Sequence, residues 1–145
     1  MATQSEENVR RLREQFDAMD RHDIDGATSY YAEDAVLTDH ATQETCSGYD
    51  EIRAYLASQF EPFPDLRVEE VDTFAGGDWT VFRGIGRGTH DGRLAGLEAT
   101  NRPIEFSFCN PVRWQDGKIV EDHAYYDMYA ILVQIGHVSA LSEMA

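Results

Sequence analysis

Lysine is almost missing from this 145-residue chain: of its 12 basic residues only Lys118 is a lysine, against 27 aspartates and glutamates, for a net charge of −15. A phosphate backbone needs a basic face, which this composition cannot assemble, so nucleic acid is disfavoured as a partner. An anionic membrane surface is disfavoured on the same ground. Cysteine is scarce too. Cys46 and Cys109 stand far apart and in no CxxC pair, which argues against a disulfide framework and for a reducing compartment. No run approaches the roughly 18 apolar residues of a membrane span. The charged N-terminal stretch MATQSEENVRRLREQ lacks the apolar centre of a signal peptide, and a cytoplasmic protein is expected. There is no internal repeat, low-complexity tract or linker. Residues 1–145 therefore read as one domain, large enough to bury a core without metal or disulfide. An acidic, lysine-poor surface suits a salty medium, where screening relieves self-repulsion. A halophilic source is one expectation and an ordinary acidic protein the other.

What the chain does have is periodic. Val9, Leu12, Phe16 and Met19 form one apolar stripe of a helix over residues 5–22, with Ser5 as its cap and Glu6 and Glu7 in its first turn. A short second helix is expected from Asp25 through Tyr30 and Tyr31, then a strand at Ala35–Thr38 and a polar loop from Asp39 to Ser47. Gly48 opens a third helix with Ile52, Leu56 and Phe60 on one side, stopped by Pro62 and Pro64. Leu66–Phe74 alternates as a strand, Gly76-Gly77-Asp78 turns it, and Trp79–His90 returns. The glycines at 84, 86 and 88 in that strand imply a bend or a large neighbour lying across it. Asp116-Gly117 is a tight-turn signal that makes residues 104–127 a β-hairpin, and Met128–Gly136 reads as a closing helix with a glycine cap. Counting by twos, Phe106, Phe108, Asn110, Val112 and Trp114 share one face of that hairpin with Val120, Asp122, Ala124 and Tyr126. A mostly apolar wall with a few polar groups is how a ligand cavity looks. Helices followed by a run of strands make an α+β domain.

Phe16-Asp17-Ala18-Met19, Tyr31-Ala32-Glu33-Asp34-Ala35-Val36, Phe63-Pro64-Asp65-Leu66, Gly88-Thr89-His90 and Asp116-Gly117-Lys118-Ile119-Val120-Glu121 stand in this order. As an ordered set over about residues 9–136 they resemble the SnoaL-like polyketide cyclases. The resemblance implies the cone-shaped α+β fold of the nuclear transport factor two-like superfamily. Its features are a curved antiparallel sheet, N-terminal helices packed on the concave face, and one deep pocket. It also implies a homodimer, a hydrophobic small-molecule ligand, and ring closure by intramolecular aldol condensation without metal or cofactor. In such cyclases an aspartate is the acid/base and a strand histidine helps bind the substrate. Aligned through Asp116-Gly117-Lys118-Ile119, the aspartate falls on Ala124 and the histidine on Asn110, while Asp127 matches a second family aspartate.

Ala124 cannot transfer a proton, so another group must do so. Asp122, two residues back on the same face, is the first candidate, its pKa raised by apolar neighbours. Asp127 is the second, acting from the rim. Asn110, Tyr126, Phe108, Trp114, Tyr30 and His40 are the candidate substrate-binding residues, with Asn110 and Tyr126 polarising a substrate carbonyl. Strand parity turns His123 to the opposite face. The pairs Asp39-His40, His90-Asp91 and Asp122-His123 carry metal-ligating side chains, but there is no HExxH or paired-cysteine spacing, and no metal site is expected. Two functions follow: a cofactor-free cyclase- or isomerase-type enzyme acting on a hydrophobic carbonyl or polycyclic compound, or a non-catalytic binder in which Ala124 marks a degenerate site.

Overall fold

Helix α1 (Gln4–Asp20) starts two residues earlier than a cap at Ser5 would place it. Thr3, with extended backbone, accepts the Glu6 amide at 3.1 Å, so Ser5 lies inside the helix and is not its cap. Helix α2 (Ile24–Thr28) is capped by Asp23 and is shorter than expected. Tyr31 leaves it to begin strand β1 (Tyr31–Asp39), because pairing to the last strand captures the chain there: the Ile119 amide donates to the Tyr30 carbonyl at 2.8 Å. The expected loop 39–47 is largely sheet. Strand β1 runs on to Asp39 and turns into β2 (Glu44–Ser47), an edge strand in which only Cys46 is buried. Such a strand carries no alternation for sequence reading to find. Helix α3 (Tyr49–Ser58) buries Ile52, Tyr55 and Leu56.

Four strands follow. They are β3 (Arg67–Gly76), β4 (Trp79–Thr89), β5 (Pro103–Gln115) and β6 (Lys118–Tyr126), before helix α4 (Met128–Gln134). The β5–β6 turn is the expected one: Asp116 and Gly117 both have positive φ, 51° and 78°, as a primed two-residue hairpin requires. The sheet is six-stranded, curved and unclosed, in the order β2-β1-β6-β5-β4-β3. All its pairs are antiparallel except one. Strand β1 runs parallel to β6, with Leu37 beside Asp122 and Asp39 beside Ala124. Most of the chain separates these two strands, so no hairpin dictates their direction. The structure, a computed structural model, describes residues 1–143, and among these no helix is long and apolar enough to cross a membrane.

Helix α1 lies across β3 and β4 and closes one side of the sheet. Its Leu12 joins Ile52, Phe82, Val112, Trp114 and Ile119 in the main core, and Phe16 stacks on Phe82 with ring centroids 4.1 Å apart. A second cluster, around Phe63, Ile104, Ile131 and Ile135, holds α4 at the other end. The glycine series in β4 has a visible cause. A Cβ on Gly84 would lie 2.7 Å from the Phe108 ring, and one on Gly86 2.4 Å from the Phe106 ring. Both rings lie back onto bare backbone, leaving room in front of them.

Candidate active site

That room is a cavity of about 410 Å³ between α1, α3, α4 and the sheet. Phe16 and Met19 of α1, Leu37 of β1, and Phe106 and Phe108 of β5 give it apolar walls. Three aspartates line it, and two of them, Asp39 and Asp122, have 5% or less of their surface exposed, while Asp20 is exposed. Asp122 accepts from the Tyr31 hydroxyl at 2.5 Å and from Asn110 Nδ2 at 2.6 Å, one donor on each oxygen. Burial pushes its pKa up, and the two hydrogen bonds pull partly the other way. Burial, reinforced by the neighbouring aspartate, also raises the Tyr31 hydroxyl well above its ordinary value.

Asp39 is bound differently. Its Oδ2 accepts from Tyr55 at 2.7 Å and Tyr126 at 2.8 Å, and its Oδ1 from the amides of Ala41 and Thr42 at 3.0 Å each. Four donors tie this β1 carboxylate to α3, β6 and the β1–β2 turn. Burial first, and then the adjacent Asp39, raise the pKa of Tyr55; the same two causes act on Tyr126. Both phenols stay protonated, with their hydrogens directed at Asp39.

The candidate residues divide accordingly. Asp122, Asn110, Tyr126 and Phe108 line the cavity together, and Ala124 lies among them. Trp114 shares the β5 face but sits beyond the cavity, in the core; it is 2% exposed and its indole donates to Thr80 Oγ1 at 2.9 Å. Tyr30 lies on the outside of α1, where its hydroxyl donates to Glu14 at 3.0 Å. His40 is exposed and turned from the cavity: its ring lies 4.0 Å from that of Tyr125 and its Nε2 2.8 Å from His123 Nδ1. Asp127 is the exposed N-cap of α4, accepting the Ala130 amide at 2.9 Å. Val120 gives up its expected inward place to Ile119, because the β5–β6 register shifts between Arg113 and Trp114. No three His, Cys, Asp or Glu side chains among the described residues are grouped to hold a metal ion.

Sequence reading missed Asp39, Tyr31 and Tyr55 as parts of the site, and it missed Gln15. The last had a signal. Gln15 falls between Leu12 and Met19 at spacings of three and four, a polar residue on the buried stripe of α1. It is 4% exposed, it lines the cavity, and its side chain makes no hydrogen bond among the described residues.

The profile of the SnoaL-like polyketide cyclases matches residues 9–135. The chain belongs to this family. Solved structures of SnoaL-like and related proteins superpose along nearly its whole length. A candidate SnoaL-like polyketide cyclase from Jannaschia sp. CCS1 has a TM-score of 0.87 at 20% identity, over 95% of this chain and 97% of that one. AclR, a candidate hydroxylase from Streptomyces galilaeus, has 0.84 at 24%, over 94% and 85%. IdmH, a candidate polyketide cyclase from Streptomyces antibioticus, has 0.79 at 25%, over 89% and 98%. No curated protein matches the chain. The expected cone-shaped fold of the SnoaL-like proteins is thus the one present. In this member Asp39 stands directly across the β1–β6 ladder from Ala124.

Proposed function

We propose that this SnoaL-like protein is an enzyme that moves a proton within a hydrophobic carbonyl compound, with Asp122 as both base and acid and no cofactor in the step. The observation that supports this reading is a buried carboxylate facing an apolar cavity, held on each oxygen by one donor, with its pKa raised by burial. A carboxylate so placed is a stronger base than an exposed one, and Tyr31 and Asn110 fix its direction. For ring closure the steps balance without oxidant or reductant. Asp122 takes a proton from the carbon beside a carbonyl, and the C–H electron pair becomes an enolate. The enolate carbon bonds to a second carbonyl carbon, and the alkoxide formed takes the proton back from Asp122. The family and the cyclase description of IdmH support a substrate of this kind.

Ala124 favours a second reading, ligand binding without turnover. The two are separated by hydrogen–deuterium exchange at the α-carbon of 2-tetralone in D2O, followed by NMR. The enzyme reading expects exchange faster than in buffer. It also expects a loss of about 10²-fold or more in Asp122→Asn, with ketone binding retained. Binding with no acceleration by the wild-type protein would establish the binder instead.

A further inference from the structure

Hydrogen-bond accounting among the buried groups that line the cavity leaves one side-chain donor over among the described residues. Asn110 spends both amide hydrogens, on Asp122 at 2.6 Å and on the His123 carbonyl at 2.8 Å, which leaves its oxygen as an acceptor. Tyr31 spends its hydroxyl hydrogen on Asp122, and Tyr55 and Tyr126 spend theirs on Asp39. At the α3 end, Ser58 donates to the Tyr55 carbonyl at 2.6 Å and Gln59 to the same oxygen at 3.2 Å. Asn110 and Tyr126, expected to polarise a substrate carbonyl, therefore have no hydrogen to give it. Gln15 has two. Its side chain lines the cavity, where a ligand can accept from it.

The geometry points to Gln15 as the residue that binds the substrate's carbonyl oxygen, through Nε2, at the site whose proton transfer is proposed above. The ligand class follows: a hydrophobic ketone or related carbonyl compound with its oxygen toward α1 and its acidic carbon toward Asp122. Asp122 and Asn110 approach from the sheet and Gln15 from the helix opposite, so the two ends of one carbonyl unit are addressed from two sides. An oxygen that gathers charge as the enolate forms is held better by an N–H than by acceptors alone.

The test uses 2-acetylnaphthalene labelled with ¹³C at its carbonyl, with infrared difference spectra and a titration. In the wild-type protein the carbonyl stretch should lie below its position in cyclohexane. In Gln15→Met it should return to the cyclohexane position with Kd raised about tenfold, and in Tyr126→Phe it should stay at the wild-type value. Melting temperature is the second readout. A side chain that holds the fold loses stability when replaced, whereas Gln15→Met, similar in size and apolar, should melt at the same temperature or higher. Gln15→Leu is the parallel variant. An unshifted stretch in the wild type, an unchanged one in Gln15→Met, or a melting temperature several degrees lower in both variants overturns the assignment. Failure of the wild type to bind the ketone removes the carbonyl-substrate reading as well; binding that ignores Gln15 removes this inference alone.

Discussion

Asp39 and Asp122 are the same residue type on neighbouring strands, and their surroundings make them different tools. Asp39 collects four donors and fixes two tyrosines and a turn, while Asp122 has one donor on each oxygen and keeps lone pairs for the cavity. The difference has a pH signature. Burial raises the folded-state pKa of Asp122, so folding favours its protonated form. That contribution is complete below the unfolded value near 3.9 and is lost as pH rises through the folded value. Asp122→Asn never carries the charge. The melting temperature of the wild type minus that of Asp122→Asn should therefore fall between about pH 3.5 and neutrality. A difference that is flat or rises over that range would show that Asp122 is not held against its charge.

At the scale of elements, β4 shapes the cavity by what it omits. Gly86 makes room only for the far end of the Phe106 ring, which can swing away. Gly84 faces both the Phe108 ring and the backbone carbonyl of Glu69, whose oxygen would lie 2.8 Å from an added Cβ, and backbone does not yield. Gly84→Ala should therefore cost about 1–3 kcal/mol by urea denaturation. Gly86→Ala should cost less but push Phe106 into the cavity and weaken binding of an aryl ketone. The reverse order of stabilities would show that the Glu69 carbonyl is not the obstacle. The glycine spacing was plain in the sequence, as were the Asp116-Gly117 turn and the α1 stripe, because each is a local pattern. Strand β2 was not, since an exposed edge strand buries one residue and has no period. Trp114 was placed on the right face but at the wrong depth: face follows from alternation, whereas depth depends on how far α1 and the sheet close together.

For the whole molecule, charge is the dominant fact. Arginines pair with carboxylates across the surface, Arg13 with Glu70, Arg83 with Asp72 and Arg113 with Glu121, but 27 acidic residues outnumber 12 basic ones. Exposed pairs of this kind add little to stability, so salt loses little by screening them. Screening the net charge of −15 gains more. Melting temperature should rise between low-salt buffer and molar KCl, and no rise would mean that self-repulsion is not limiting stability.

The sequence by itself determined the α+β order, the hairpin, the face on which Asp122 lies and the family likeness. Each of these rests on neighbours in the chain or on the order of short motifs. Tertiary structure decided which polar groups serve one another. Tyr31 reaches Asp122 across 91 residues and Tyr126 reaches Asp39 across 87, and only once those hydrogens are spent does Gln15 stand out, among the described residues, as a buried cavity-lining donor with none spent. Periodicity turns a side chain inward, but its hydrogen-bond partner is set by where distant elements meet.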